Sequence, residues 1–220
     1  MCKVPGATCK VQSAGCRLSS IQHLELGTPH LELGTAHSTH PIIMNYDFPI
    51  TVRPIDASDL LALEWEGEYT HFRRQFEMAY SEYLAGNGIP WVLIEATTGV
   101  ILGQVFVLFR SRHRGELADG TERAYLYSVR VKTEFRGLGL GGRMMDIVEE
   151  DLYERGFAIA TLNVARDNPG AYRFYVRRGY RTVAPDPGQW AYLDHLGRRR
   201  FVDEPAWRME KILGPGGQPE

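Results

Sequence analysis

The chain has 220 residues, of which 44% are hydrophobic and 24% are charged, and its formal net charge at pH 7 is −2. This composition is typical of one globular domain with enough apolar residues for a sizeable core. The near-neutral balance argues against nucleic acid as a partner, and no apolar stretch reaches the roughly 18 residues of a membrane span. Residues 1–30 also lack the apolar core of a secretory signal, so we expect a cytoplasmic protein.

The first 43 residues form a segment of their own, because they fall into blocks of seven: CKVPGAT, CKVQSAG, CRLSSIQ, HLELGTP, HLELGTA and HSTHPII. Repeated Gly and Ser do not give the sustained apolar a and d positions that a coiled coil needs. The near-identical fourth and fifth blocks are typical of a tandem DNA repeat read in frame. We therefore predict that residues 1–43 are a disordered or non-native extension and that the domain begins at Met44.

The same segment holds every cysteine of the chain and four of its seven histidines. They recur mostly at intervals of seven, which is not the CxxC or HxxxH spacing of zinc sites, so we predict no metal. The rest of the chain has no cysteine, which excludes a thiol nucleophile and fits a reducing compartment. These residues are Cys2, Cys9, Cys16, His23, His30, His37 and His40.

A strand and two helices are predicted at the start of the domain. Residues 50–53 alternate with period two and are followed by Pro54, which is typical of a strand end. A short helix follows, with Asp56 or Ser58 as its N-cap and Leu60, Leu61 and Leu63 as its apolar residues. The aromatic residues of a second helix share one face, and they are Phe72, Phe76, Tyr80 and Tyr83.

Three strands are predicted next. Residues 91–95 and 100–109 are apolar runs joined by the turn sequence ATTG, which indicates an antiparallel hairpin. After a polar loop, residues 124–131 form the next strand.

A glycine-rich loop, RGLGLGGR at residues 136–143, lies between that strand and a helical pattern at residues 144–154. Glycine lets the backbone approach a ligand closely. A helix that begins in the loop points unpaired N–H groups and the positive end of its dipole into it. The pattern therefore indicates a pyrophosphate-binding site.

Two cofactor patterns fit this loop, and the first is the dinucleotide pattern GxGxxG at Gly137, Gly139 and Gly142. Fewer than 80 residues follow the loop, too few for the usual doubly wound sheet. The next predicted strand, residues 158–164, also lacks the acidic residue that binds the ribose. Both observations argue against a nicotinamide oxidoreductase.

The second pattern, RxxGxG at Arg136, Gly139 and Gly141, resembles the acyl-CoA motif of the GCN5-related N-acetyltransferase (GNAT) family. A second motif follows: Asn168, Ala171 and the run FYVRRGY resemble the family segment N-x-x-A-x-x-F-Y-x-x-x-G-F/Y. Two motifs at the expected separation are far more specific than either alone.

The resemblance extends over residues 50–213 and implies the fold. We expect the α/β acyl-CoA N-acyltransferase fold of this family over residues 44–214, with a mixed, mainly antiparallel twisted sheet flanked by helices. The implied element order is βααβββαβαββ, and residues 215–220 form a tail.

The resemblance also implies that acetyl-CoA is the co-substrate and that no metal is needed. The glycine loop would bind the pyrophosphate, and the pantetheine arm would lie along the strand before it. The implied cofactor residues are Val129, Arg130, Val131, Arg136, Gly137, Leu138, Gly139, Leu140, Gly141, Gly142, Asn168 and Tyr175. Asn168 is equally well explained as the N-cap of the next helix.

The catalytic residues implied are Tyr175, Tyr127 and Ser128. Tyr175 matches the family tyrosine that donates a hydrogen bond or a proton to the departing thiolate; packing in the core is its alternative. Many relatives carry a glutamate where this chain has Tyr127, so the base is left open between a water chain past Tyr127 or Ser128 and an acid of the first helices. The other candidates are Glu64, Glu66, Glu68 and His195, and each has an ordinary structural explanation.

The C-terminal segment carries Trp190, Tyr192, Asp194 and His195, which can be interpreted as an acceptor pocket. A hairpin turn at residues 195–197 is the interpretation that the sequence favours.

The predicted reaction is transfer of an acetyl group from acetyl-CoA to a primary amine by direct attack in a ternary complex. The alternative is a catalytically weak acyl-CoA-binding or sensor module of the same fold. The acceptor is a small molecule or a protein N-terminus or lysine, with no nucleic acid and no membrane involved, and a homodimer is left open.

Overall fold

The computed structural model describes residues 48–214, so the predictions for residues 1–43 and 215–220 lie outside the described residues. The strands are β1 (Ile50–Pro54), β2 (Gly88–Glu95), β3 (Ile101–Leu108), β4 (Arg123–Val131), β5 (Ile159–Ala165), β6 (Arg181–Asp186), β7 (Gln189–Leu193), β8 (Arg199–Asp203) and β9 (Ala206–Ile212). The α-helices are α1 (Arg73–Leu84), α2 (Leu140–Glu154) and α3 (Pro169–Arg177). Among the described helices, none is long and apolar enough to cross a membrane.

Seven strands form one sheet in the order β1-β2-β3-β4-β5-β9-β6, and β7 and β8 form a separate two-stranded sheet. All neighbours are antiparallel except β4 and β5, which are parallel. Their pairing runs only from Arg123 opposite Ile159 to Leu126 opposite Leu162. The second half of β4 therefore diverges from the end of β5 and leaves a gap in the sheet. The predicted mixed, mainly antiparallel fold is confirmed.

Each face of the sheet has its own core, because alternate residues of a strand point to opposite faces. Trp91, Val105 and Leu126 pack with α2 and α3, whereas Val92 and Phe106 pack with α1. The gap between β4 and β5 is therefore reached from two different sides, the α2 and α3 side and the α1 side.

The structure differs from the sequence prediction at the first helix, which is replaced by two 3-10 turns, Ala57–Asp59 and Ala62–Glu64. Asp56 caps the first turn through its side chain. The second is ended by Trp65 (φ 45°) and Glu66 (φ 55°), whose left-handed backbone cannot continue a helix. The hairpin turn predicted at residues 195–197 is confirmed as the β7–β8 connection, which adds two strands to the predicted order.

Candidate active site

Residues 136–142, which we call the cofactor loop after their predicted role, comprise a turn and the first residues of α2. Gly137 (φ 80°) and Gly139 (φ 79°) adopt the left-handed conformation, and an added β-carbon at either would meet open space. The Arg136 Nε–H donates to the Val131 carbonyl at 2.9 Å, which ties the loop to the end of β4. The first-turn amides of α2 have no partner within the helix. The loop thus has the open backbone surface that a pyrophosphate requires.

Asn168 starts α3, as its cap interpretation requires. Its Oδ1 accepts a hydrogen bond from the Ala171 N–H at 3.0 Å, and Pro169 occupies the first position of the helix. These interactions fix where α3 begins and therefore where its aromatic residues lie.

Tyr175 of α3 is buried beside the cofactor loop. Its ring contacts Phe174 and Tyr180 edge to face, at centroid distances of 5.1 and 5.5 Å. A β-carbon at Gly141 would lie 3.7 Å from Phe174 Cζ, so α3 packs against the start of α2. Burial raises the pKa of Tyr175 well above its ordinary value. The Tyr175 hydroxyl therefore stays protonated and can donate a hydrogen bond at neutral pH.

A bulge interrupts β4 at Ser128, which has a positive φ of 54°. Tyr127 lies opposite Phe106, whereas Arg130 lies opposite Gln104, so β4 has one residue more than β3 in this interval. The extra residue puts Tyr127 and Arg130 on the same side of the sheet, the side of α1. Gln104 is fully buried and donates to Ser128 Oγ at 3.2 Å.

A cavity of about 750 Å³ lies on this side of the gap between β4 and β5; we call it the acceptor cavity after the role that the sequence analysis predicts for Trp190 and Tyr192. Two aromatic groups form its walls. On β4, the rings of Tyr125 and Tyr127 stack with centroids 5.7 Å apart. Opposite them, the Phe72 ring lies 4.9 Å from the Tyr192 ring and 6.4 Å from the Trp190 ring.

The β4 tyrosines are kept neutral by burial, which raises the pKa of Tyr125 to about 12 and raises that of Tyr127 further. Asp186 is buried at the floor and forms an ion pair with Arg114, and the Gly188 N–H donates to Asp186 at 2.8 Å. The side chain of His71 also lines the cavity, and its pKa is lowered, first by burial and then by the positive charge of Arg130. His71 is therefore a neutral imidazole at pH 7.

The structure brings together only some of the residues singled out from the sequence. The acceptor cavity is lined by Tyr127, Ser128, Trp190 and Tyr192. The Arg130 side chain also lines it, so any contact of Arg130 with the cofactor arm would come from its backbone. His71 and Tyr125 were missed, because neither belongs to a motif and an isolated histidine or tyrosine carries no positional signal.

The remaining base candidates, and Asp194 as a predicted pocket residue, lie elsewhere. Glu64 is buried and accepts hydrogen bonds from Arg73 and, at 2.6 Å, from Thr70. Glu66 forms an ion pair with Lys132 at 2.9 Å. Asp194 accepts the Leu196 and Arg198 N–H groups within the β7–β8 turn that also contains His195. These partners account for Glu64, Glu66 and Asp194 structurally, and neither these three nor Glu68 and His195 line the acceptor cavity.

Comparison with known proteins agrees with this geometry. Residues 57–180 match the model of the acetyltransferase (GNAT) family. An uncharacterized N-acetyltransferase of Archaeoglobus fulgidus is 28% identical over 120 residues, which cover 52% of this chain and 76% of the relative.

Solved structures show the same fold. The ribosomal-protein-S18-alanine N-acetyltransferase of Escherichia coli superposes with a TM-score of 0.56 at 18% identity and covers 75% of this chain and 94% of its own. The spermidine N-acetyltransferase of Vibrio cholerae, in complex with CoA and spermine, gives 0.55 at 16% identity and covers 74% and 95%.

Proposed function

The chain belongs to the GNAT acetyltransferase family and is an acetyl-CoA-dependent N-acetyltransferase; we propose that it acetylates a primary amine by direct attack in a ternary complex. One observation carries the proposal: the gap between β4 and β5 has the cofactor loop and Tyr175 on one side and the acceptor cavity on the other. An amine and a thioester that enter from opposite sides would meet there without a covalent enzyme intermediate.

The cofactor side is suited to acetyl-CoA, which supplies the activated acetyl group. Arg136 and the backbone of residues 137–142 would hold the pyrophosphate. The backbone of β4 at Val129–Val131, beyond its last pair with β5, would bind the arm and provide N–H donors to the developing oxyanion. A preorganised donor of this kind is worth about 2.7–4 kcal/mol.

The acceptor side must remove a proton, because an alkylammonium cannot attack. His71 lines the cavity, and because its lowered pKa leaves the imidazole unprotonated at pH 7, it would accept that proton, directly or through water past Tyr127 or Ser128. When the amine nitrogen bonds to the carbonyl carbon and the C–S bond breaks, the Tyr175 hydroxyl donates a hydrogen bond to the thiolate.

Tyr175→Phe tests this assignment. We expect kcat to fall by about 100-fold because the donor to the leaving group is lost, with the Kd for acetyl-CoA changed less than about threefold. Thiol release with a panel of amines and calorimetric titration of acetyl-CoA into the full chain measure the two quantities.

Tyr172→Phe is the matched control, since Tyr172 lies on the same helix and its hydroxyl contacts Thr182 Oγ1 at 3.2 Å instead. Equal losses of kcat and affinity in Tyr175→Phe would contradict the assigned role. Tight acetyl-CoA binding with no thiol release for any amine would favour the sensor module.

A further inference from the structure

Arg130 lines the acceptor cavity and forms no ion pair with any residue that the structure describes. Its guanidinium carbon is 4.2 Å from the centroid of the Tyr69 ring and 5.1 Å from that of Phe72. Its Nη1 is buried and has no hydrogen-bond partner among residues 48–214. By contrast, Arg114, the other arginine that lines the cavity, pairs with Asp186.

A charged guanidinium in this position costs free energy unless something compensates it. Arginine cannot lose its proton in a protein, so Arg130 remains a cation although burial lowers its pKa. The two rings compensate part of the cost by cation–π attraction. Contact over a ring does not use the in-plane N–H donors, so those on the part of the guanidinium that lines the cavity stay available for a planar anion.

The acidic residue whose charge acts on Arg130 is an inadequate partner. Glu68 is exposed and raises the pKa of Arg130 through its charge, yet it forms no ion pair with Arg130 in the described part of the chain. Glu204, at the cavity wall, is exposed as well. The buried donor of Arg130 therefore has no protein acceptor.

We propose that Arg130 binds a carboxylate of the acceptor, so that the acceptor is an amino acid whose α-amino group is acetylated. This inference rests on the proposed function. A guanidinium and a carboxylate form two parallel hydrogen bonds. The aromatic walls at Phe72, Trp190 and Tyr192 are suited to a large apolar or aromatic side chain. A polyamine fits poorly, because it would add positive charge beside Arg130.

The bulge at Ser128 is what puts Arg130 in this position. Without the extra residue, alternation along β4 would turn Arg130 to the α2 side and Val129 to the cavity. The position of Arg130 as a specificity-determining residue therefore depends on this bulge between β3 and β4.

The experiment compares phenylalanine with phenylalaninamide, which keeps the amine and the ring and lacks only the carboxylate charge. The phosphonate analogue of phenylalanine and spermidine complete the set. Thiol release is measured with the full chain, and each kcat/KM is divided by the fraction of neutral amine, since amidation also lowers the amine pKa. We expect the wild type to favour phenylalanine over the amide, the phosphonate and spermidine.

In Arg130→Gln the ratio of kcat/KM for phenylalanine to that for the amide should fall by about 10- to 150-fold, which corresponds to the loss of a charge-assisted hydrogen bond. The fall should come from a higher KM for phenylalanine. Arg130→Lys should retain part of the preference, because it keeps the charge and loses the planar fork. Arg181→Gln, which removes an exposed arginine from β6, should match the wild type.

An unchanged preference in Arg130→Gln would overturn the inference. So would a rise in the Kd for acetyl-CoA as large as the rise in the KM for the acid, which would make Arg130 a cofactor residue. If the wild type acetylated the amide or spermidine as well as phenylalanine, the carboxylate proposal would be refuted, while the acetyltransferase activity itself would stand. If the phosphonate had a higher kcat/KM than phenylalanine, the ligand of Arg130 would be a phosphate-type anion instead. Absence of thiol release with every amine would refute the proposed function itself.

Discussion

The cofactor loop and the acceptor cavity lie on opposite sides of one gap in the sheet, and they are built in different ways. The loop uses backbone: two left-handed glycines and the start of α2. The cavity uses side chains: stacked tyrosines on β4, an aromatic group from Phe72 and β7, and the charged groups Arg130, Arg114 and Asp186. A backbone site depends little on side-chain identity, whereas a side-chain site can change its ligand without a change of fold.

The largest effect that tests this difference is expected in the loop. Gly139→Ala should weaken acetyl-CoA binding by about 10- to 150-fold, because a side chain would occupy the space of the phosphate and disturb an amide that bonds to it. The KM for the amine should hardly change. Calorimetric titration of acetyl-CoA and steady-state kinetics measure the two.

Gly156→Ala is the matched control, since Gly156 follows α2, has a φ of 89° and also faces open space. Both substitutions force alanine into a left-handed conformation, which costs about 1–2 kcal/mol of stability. If Gly156→Ala weakened acetyl-CoA binding equally, the loss in Gly139→Ala would reflect general destabilisation and not a backbone site.

A smaller effect is expected in the cavity. Trp190→Ala should raise the KM for the amine by about 2- to 12-fold, equivalent to about 0.5–1.5 kcal/mol of aromatic contact, and leave acetyl-CoA binding unchanged. Phe201→Ala is the control on the same hairpin: Phe201 pairs with Ala191, next to Trp190, so its side chain points to the other face and is 77% exposed. A loss of acetyl-CoA affinity in Trp190→Ala would break the division between the two sides.

The same division explains what the sequence predicts of the fold. The strands, the hairpin before β4 and helix α2 were predicted because period-two runs and one apolar helix face are local patterns. The helix at Leu60 was not found, since positive φ at Trp65 and Glu66 depends on packing, with Trp65 only 4% exposed. Propensity alone favours a helix where the tertiary structure requires two short turns.

Within the candidate site, the loop residues and Tyr175 follow from two contiguous motifs, because backbone recognition requires glycines in a fixed order. The cavity brings together residues 71–72, 125–130, 186–192 and 204, which are far apart in the chain. Arg130 was predicted as a cofactor residue, and the sequence gives no reason to turn its side chain to the other side. The bulge at Ser128 turns the Arg130 side chain to the cavity, and no sequence motif in β4 indicates this bulge.

The smallest effect is the contribution of His71, in the cavity, to the pH dependence of stability. Burial and then Arg130 lower the pKa of folded His71 below its ordinary value of 6.5, and smaller contributions come from His195 and Arg200, opposed by Asp194. Below pH 6.5 the unfolded chain therefore binds more protons at His71 than the folded chain, so the free energy of unfolding falls as the pH drops through this window.

Urea unfolding at about pH 7.5 and about pH 5.5 should show a larger loss of unfolding free energy for the wild type than for His71→Gln, while the contributions of carboxylates common to both cancel in the difference. Arg130→Gln should also reduce the loss, because a positive neighbour of His71 is removed. Parallel pH profiles for wild type and His71→Gln would mean that His71 is as well solvated folded as unfolded, and the neutral imidazole proposed as the proton acceptor would lose its physical basis.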